Sequence, residues 1–209
     1  SHPSLPHPLL MPPPRDLSPE KAEQILAGAM REFLENGFAG ARIDKIVAAA
    51  KVSKATVYRH FPDKVALFNV LIQRMAAKKE LFELQNMQSF DEEPAIVLRR
   101  HAEKMLDNVA TDPQILTFLR IIIGESGRFP LLAQAFIRDV EKPALDGLTR
   151  YLTLHPKLKI ADPEVTARAF IGTLIHFVLF TYVLHGKDIM PIERDRLLDE
   201  LLALVIKPK

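Results

Sequence analysis

Apolar residues recur three and four positions apart along most of this chain, which is the spacing of one face of an α-helix. In the first such stretch the positions are Ala22, Ile25, Ala29 and Phe33. No stretch alternates apolar and polar residues in the way that a half-buried β-strand does. The pattern predicts an all-α protein with nine helices, at 18–36, 42–50, 54–60, 62–86, 92–110, 113–124, 128–153, 162–185 and 192–206.

Three of the predicted helices begin with the same local signal, a side-chain oxygen followed by proline. The dipeptides are Ser18-Pro19, Asp112-Pro113 and Asp162-Pro163. The oxygen accepts a hydrogen bond from a backbone N–H of the first turn, and proline at the first helical position loses no hydrogen bond. Pro143 lies inside the seventh predicted helix and removes the backbone bond to Asp139, so we expect a kink there.

Composition and charge exclude several classes of protein. The chain carries 28 Lys and Arg against 26 Asp and Glu, a net charge of +2, so any basic surface must be local. The lack of cysteine excludes disulfides, thiolate metal sites and a cysteine nucleophile. Residues 1–17 are rich in proline and lack apolar periodicity, so we interpret them as a flexible, polyproline-like arm rather than a signal peptide.

Positive charge is concentrated between residues 41 and 64, which hold six Lys or Arg and two acids. The cations are Arg42, Lys45, Lys51, Lys54, Arg59 and Lys64. Only residues 51–53 separate two short predicted helices here, and this tight corner is typical of a helix-turn-helix. Ser53 is expected to cap the second helix, whose backbone N–H groups and positive dipole end suit a phosphate. From charge alone, a solvated basic face is the alternative.

The same segment carries a family resemblance. The string Val52-Ser53-Lys54-Ala55-Thr56-Val57-Tyr58-Arg59-His60-Phe61-Pro62-Asp63-Lys64, preceded by Gly37-Phe38, resembles the DNA-binding domain of the TetR family of transcriptional regulators. The resemblance covers residues 20–68 and implies that 54–60 is the recognition helix. It implies phosphate contacts by Thr56, Tyr58 and Lys64, and base contacts by Ala55 and Arg59. Arg59 has the chemistry to read guanine through two hydrogen bonds.

The predicted DNA-contacting set is Arg42, Lys45, Ser53, Lys54, Ala55, Thr56, Tyr58, Arg59, His60 and Lys64. Two positions depart from the family pattern. Ala41 and Arg42 stand where hydroxyl residues are usual, and Ala41 cannot cap a helix, although Arg42 has the charge for a phosphate contact. Lys51 stands where a turn glycine is usual, so either lysine takes a left-handed conformation or the turn differs.

A second resemblance covers roughly residues 92–185. The stretch 120–130, with Ala135-Phe136 and the helix that follows Asp162, looks like the AefR-like C-terminal domain of some TetR-type repressors. It implies a head at 18–64 and a ligand-binding and dimerisation domain at 65–209. The candidate walls of a pocket for a small hydrophobic effector are His101, Met105, Phe118, Ile122, Phe177 and Tyr182, each of which is alternatively plain core.

The eighth predicted helix is apolar on two faces. One face holds Phe170, Leu174, Phe177 and Thr181, and the other holds Ala169, Gly172, Thr173, His176, Phe180 and Val183. Residues 169–186 lack a formal charge, but a helix buried on both sides is a better interpretation than a membrane span. We expect one face in the protein's own core and the other, with helix 192–206, in a homodimer. The pattern leaves open which face is which.

The leading hypothesis is a cytoplasmic homodimeric repressor that binds a palindromic duplex and is released by a small hydrophobic ligand. One alternative is an all-α small-molecule carrier or small helical enzyme with a vestigial helix-turn-helix. Another is an effector-independent DNA-binding regulator. The histidines lack the spacing of a metal site, no nucleophile elbow is present, and we predict no cofactor and no enzymatic activity.

Overall fold

Every element of the computed structural model is helical within residues 18–78 and 90–206, which are the residues that the structure describes. The all-α prediction is therefore confirmed. The first four helices are α1 (Pro19–Gly40), α2 (Ile43–Ala50), α3 (Lys54–His60) and α4 (Lys64–Lys78). They are followed by α5 (Pro94–Thr111), α6 (Pro113–Glu125), α7 (Pro130–Phe136), α8 (Lys142–Leu154), α9 (Pro163–Val178) and α10 (Arg194–Val205). The proposed N-terminal arm and the end of the predicted helix 62–86 lie outside the described residues.

The three predicted caps are present. Ser18 Oγ accepts the Lys21 N–H at 3.3 Å, and Asp112 and Asp162 accept N–H groups of the first turns of α6 and α9 at 2.9 and 3.0 Å. Helix α1 turns sharply near its end, because Gly37 adopts a φ of 68° that a side chain would make costly. This turn carries Phe38 back into the core.

Pro143 distorts its helix as expected, through a π-helical turn. Residues Ile137–Glu141 form this turn between α7 and α8, and the Lys142 N–H reaches back five residues to the Ile137 carbonyl. Proline cannot donate the next bond of an α-helical ladder, so the wider turn before Pro143 absorbs the mismatch without ending the helix.

Helix α9 buries the first of its two apolar faces. Phe170, Leu174 and Phe177 are each less than a tenth exposed, whereas Phe180 is 37% exposed. Val183 was predicted on the same face as Phe180, and this is wrong because Val183 is buried. A second π-helical turn, Leu179–Val183, inserts one residue and so rotates the following side chains. By length and composition alone, Pro163–Val183 is apolar enough to cross a membrane, and burial of one face accounts for that composition.

The hydrophobic core falls into two clusters. One joins α5, α8, α9 and α10 with the start of α6. The other joins α1, α2 and α3, which we call the head, to α4, α6 and α7. Phe68 of α4 lies at the centre of the second cluster, with its ring 5.0 Å from that of Phe33 and 4.7 Å from that of Phe118. The head therefore packs on the rest of the chain mainly through α4 and α6.

Candidate nucleic-acid interface

The corner between α2 and α3 is built by a few buried side chains. Ile46 of α2 and Val57 of α3 are fully buried, and both belong to the cluster that α1 shares. Since Val57 is the only buried residue of α3, the other side chains of this short helix lie toward the surface. The packing therefore presents α3 to a partner, which is what a recognition helix requires.

Ser53 caps α3 as predicted. Its hydroxyl oxygen accepts the Thr56 N–H at 3.1 Å, and the two hydroxyl oxygens of Ser53 and Thr56 lie 2.7 Å apart. The cap fixes where α3 begins and orients the Thr56 hydroxyl at its first turn.

Most of the predicted contact residues on α3 are exposed. Lys54, Ala55 and Arg59 are exposed, Tyr58 is 43% exposed, and His60 is half-buried. Arg42 and Lys45 of the α2 region are exposed as well. The large Tyr58 ring is left in water, and its hydroxyl lies among cationic side chains. This arrangement suits a contact with the phosphate backbone of a nucleic acid.

Lys54 has an acidic neighbour across the corner. Its ammonium lies 3.0 Å from a carboxylate oxygen of Asp44, and this hydrogen bond raises the pKa of Lys54 and lowers the pKa of Asp44. Both side chains are more than half exposed, so the pair adds little to stability. It does hold the Lys54 side chain over the α2–α3 corner.

A buried carboxylate binds the backbone just before α2, where Ala41 has no side-chain acceptor. Glu32 of α1 is 7% exposed and accepts the Arg42 backbone N–H at 3.1 Å, whereas the Arg42 side chain makes no cap bond. Ala41 itself is buried in the head. One carboxylate from the preceding helix thus holds the backbone at Arg42, and the Arg42 side chain stays at the surface.

At the turn position where the family usually has glycine, Lys51 adopts the left-handed conformation, with φ 53° and ψ 42°. The N–H of Lys51 bonds to the Ala48 carbonyl at 3.3 Å, and that of Val52 bonds to the Val47 carbonyl at 3.4 Å. These bonds end α2 in the manner of a helix with glycine after its last residue. A side chain in this region costs about 1 kcal/mol.

We expect Lys51→Gly to raise the free energy of unfolding by about 0.5 to 1 kcal/mol, because glycine relieves the left-handed strain at a smaller entropic cost. Urea denaturation followed by circular dichroism measures this change. Lys51→Ala is the matched control, since it removes the same charge but keeps a Cβ. A Lys51→Gly protein that is no more stable than Lys51→Ala would contradict the strain.

The Lys64 side chain is hydrogen-bonded to backbone carbonyls within the protein. Its ammonium donates to the carbonyl oxygens of Phe38 at 2.8 Å and Ala41 at 3.1 Å, with Ala39 at 3.4 Å, and it lies 4.9 Å from the centre of the Phe38 ring. Burial lowers the pKa of Lys64, and the Glu125 carboxylate opposes that shift. Lys64 therefore joins the start of α4 to the end of α1, and its contact with phosphate stays a prediction.

Glu125 was not identified from the sequence. It lies at the end of α6 and accepts the Ala39 backbone N–H at 3.2 Å, so it joins α6 to the turn that ends α1. Phe129 follows it and packs edge-on against Phe38, with the ring centres 4.9 Å apart. A motif search has no signal for this contact, because its partner lies 86 residues away. Glu125 and Lys64 together fasten the head to α6 and α4.

The six predicted effector contacts do not share one contact cluster in the structure. Phe118 and Ile122 are buried in the cluster that contains the head, where Phe118 contacts Phe68. Phe177 and Tyr182 lie in or against the other cluster, with ring centres 5.8 Å apart, and Met105 packs there as well. His101 is half-buried on α5, and burial lowers its pKa. Their role in binding an effector stays a prediction.

Two family models match separate parts of this chain. Residues 25–71 match bacterial regulatory proteins of the tetR family, and residues 96–205 match the C-terminal domain of AefR-like transcriptional repressors. The first match contains the whole α2–α3 corner, and the second covers α6 to α10 and nearly all of α5. Both resemblances inferred from the motifs are confirmed.

Individual proteins agree with the two matches. The chain is 30% identical over 105 residues to the HTH-type transcriptional repressor SCO4008 of Streptomyces coelicolor, covering 50% of each chain. It is 28% identical over 103 residues to the HTH-type transcriptional regulator AcrR of Shigella flexneri, covering 49% of this chain and 48% of that protein. The chain thus spans about half the length of the curated relatives it matches.

Solved structures match over a longer range. The Flavonoid-responsive Regulator FrrA is 29% identical, with a TM-score of 0.69 over 89% of this chain and 93% of the other. A TetR family transcriptional regulator from Pseudomonas syringae is 26% identical, with a TM-score of 0.62 over 90% of this chain and 96% of the other. The likeness therefore includes the arrangement of the head on the remaining helices.

Proposed function

Because this chain belongs to the TetR family of bacterial regulatory proteins, we propose that it is a cytoplasmic transcriptional repressor that binds a specific DNA sequence and is released by a small hydrophobic ligand. The observation that carries the proposal is the exposed, cationic face of α3, held by buried Val57 on a head of matching architecture. We expect no enzymatic activity.

The proposed DNA-contacting side chains of the head divide into two roles. Thr56 and Tyr58 carry hydroxyl groups that suit phosphate oxygens, and Arg42 and Lys45 add positive charge beside them. Arg59 lies exposed on α3 and has the two parallel N–H donors that match O6 and N7 of guanine. Phosphate contacts set the position of the head, and Arg59 supplies sequence preference.

Arg59→Ala is expected to weaken binding to the preferred operator by about 1 to 3 kcal/mol and to relax the preference at one base pair. The measurement is selection of bound duplexes from a random pool, followed by titration of the recovered sequence at fixed salt. Lys45→Ala is the control, because loss of a phosphate contact weakens all sequences alike. If Arg59→Ala leaves the selected sequence unchanged, Arg59 does not read a base.

The unburied face of α9 is proposed to bind a second copy of the chain. It runs through Ala169, Gly172, His176 and Phe180, which are exposed, and the adjoining Leu184 is 58% exposed. His176 and Phe180 stack with ring centres 4.5 Å apart, and Leu204 of the neighbouring α10 is 72% exposed. Two copies of this surface related by a two-fold axis place two recognition helices on a palindromic site.

Phe180→Glu is expected to raise the dimer dissociation constant at least about tenfold, because it places two charges in the apolar interface. Sedimentation velocity across a concentration series measures this constant. Leu131→Glu is the matched control, since Leu131 of α7 is 69% exposed and lies off the proposed interface. Equal dimerisation of both variants would place the interface elsewhere.

Helix α6 is placed to connect an effector with the head. Its Arg120 donates to the carbonyls of Tyr182 and Val183 in the π-helical turn that follows α9, at 3.0 and 3.3 Å, and its Glu125 accepts the Ala39 N–H. A ligand that shifts α6 would therefore alter both the α9 face and the head. FrrA is named for its response to flavonoids, which favours an aromatic effector here.

Two measurements test the proposal as a whole. The first asks whether the purified protein selects a palindromic duplex from a random pool at moderate salt. The second adds aromatic compounds to that complex and follows release of labelled DNA, since a ligand that prefers the free form must weaken DNA binding. Equal, weak binding to every duplex would reject the repressor assignment.

A further inference from the structure

Two polar side chains at the end of α8 are buried without hydrogen-bond partners among the residues that the structure describes. Tyr151 is fully buried, and His155, directly after the last residue of α8, is 2% exposed. Within the described residues, neither the Tyr151 hydroxyl nor His155 Nε2 has a partner. The two residues are four positions apart, so they share one face of the helix, and their ring centres lie 5.2 Å apart. Buried polar groups are almost always paired, and leaving two side by side is costly.

Both orphaned groups are hydrogen-bond donors. His155 Nδ1 accepts the Lys157 backbone N–H at 3.2 Å. An imidazole nitrogen that accepts is unprotonated, so in the neutral ring the proton is on Nε2. The Tyr151 phenol also carries a proton, because burial, with a further contribution from Glu92, raises its pKa to about 12. Each group therefore has a proton to donate, and neither proton has an acceptor within the described part of the chain.

The surroundings indicate which kind of acceptor fits. Phe90 stacks against Tyr151 with ring centres 5.8 Å apart and meets the His155 ring edge-on at 5.5 Å, so an aromatic body has aromatic neighbours here. The nearby charges are already paired, because Arg100 donates to both carboxylate oxygens of Glu92 at 2.8 and 2.9 Å and Lys157 pairs with Glu93. Since these cations are engaged by carboxylates, a neutral carbonyl oxygen is the matching acceptor.

We propose that Tyr151 and His155 form the polar end of the effector site, and that the effector is a neutral aromatic molecule whose carbonyl oxygen accepts hydrogen bonds from both residues. The inference rests on the proposed function, in which an effector binds the C-terminal helices. Phe90 is half-buried and outside any helix, so its displacement admits the ligand without breaking α8. The carbonyl supplies the acceptor that these two donors lack among the described residues.

Two matched pairs of compounds test the assignment on the full chain by calorimetry. Acetophenone is compared with α-methylstyrene, and flavanone with flavan, because each pair differs in a carbonyl oxygen and little else. We expect at least one ketone to bind, and to bind about tenfold or more tightly than its partner, since a buried unmet donor costs that much. The proposal is overturned if neither ketone binds, or if each ketone binds no more tightly than its partner.

Variants of Tyr151 and His155 test whether these residues cause the preference for the ketone. Tyr151→Phe removes the hydroxyl, and His155→Asn keeps an acceptor near the Lys157 N–H but lacks Nε2. Each is expected to reduce the preference for the ketone severalfold, and the double variant to abolish it. Thr149→Val is the control, because Thr149 Oγ1 is another buried group on α8 without a partner in the described ranges. A preference that persists in the double variant overturns the site.

Thermal stability gives an independent readout. Without ligand, Tyr151→Phe is expected to melt at a temperature no lower than the parent protein, because it deletes an unpaired group. A clearly lower melting temperature would show that the hydroxyl is already paired, which overturns the inference. These measurements use no DNA, so their outcome is separate from that of duplex selection, which tests the repressor assignment.

Discussion

Phe68→Ala is expected to lower the free energy of unfolding by about 3 to 5 kcal/mol and to abolish specific DNA binding. Phe68 is 1% exposed, and its ring contacts those of Phe33 and Phe38 on α1 and Phe118 on α6. Removing a buried aromatic ring leaves a cavity at the point where head, α4 and α6 meet. A domain of this size is stable by only about 5 to 15 kcal/mol.

Two measurements distinguish a loss of overall stability from a loss of the packing of the head on α4 and α6. Urea denaturation gives the change in free energy, and hydrogen exchange of the α1–α3 amides shows whether the head opens before the remaining helices. Ile123→Ala is the matched control, because Ile123 lies on α6 but is 52% exposed, and it should change stability by less than about 0.5 kcal/mol. Similar losses in both variants would contradict a central role for Phe68.

Features set by neighbouring residues could be predicted from the sequence. The caps at Ser18, Ser53, Asp112 and Asp162 depend on contacts two or three residues away, and all four are present. The distortion at Pro143 follows from a donor that proline lacks, although its π-helical form was not foreseen. The positions of the helices and the α2–α3 corner are also determined by neighbouring residues.

Features set by distant residues could not be predicted in this way. Glu32 accepts the Arg42 backbone N–H across 10 residues, and Glu125 accepts the Ala39 N–H across 86. A carboxylate on a helix is usually solvated, so neither had a signal that separated it from its neighbours. The Val183 error has the same origin, because a one-residue insertion in α9 moves a side chain to another face.

Lys64 combines a role that the local sequence predicts with contacts to residues far away in the sequence. The family pattern implies a phosphate contact, and the structure places the ammonium on the carbonyls of Phe38, Ala39 and Ala41. Those carbonyls end α1, and a positive charge at a helix C-terminus is favourable. The position therefore has a structural reason to be lysine in the free protein, whatever it does on DNA.

We expect Lys64→Met to lower the free energy of unfolding by about 2 to 3 kcal/mol, because methionine fills much of the same volume but leaves these carbonyls without a charged donor. Urea denaturation measures the loss. Lys51→Met is the matched control, since Lys51 is exposed and should show little change. A Lys64→Met protein as stable as this control would mean that the carbonyls are solvated instead.

The salt dependence of DNA binding decides whether Lys64 also contacts phosphate. Each phosphate contact adds about one unit to the slope of the logarithm of affinity against the logarithm of salt concentration. If Lys64 moves onto a phosphate when DNA binds, Lys64→Met flattens the slope by about one and weakens all duplexes alike. An unchanged slope with weakened binding would mean that Lys64 positions the head and does not contact phosphate. The structure gives a reason for that outcome, because three carbonyls hold the Lys64 ammonium in place and burial disfavours its charged form.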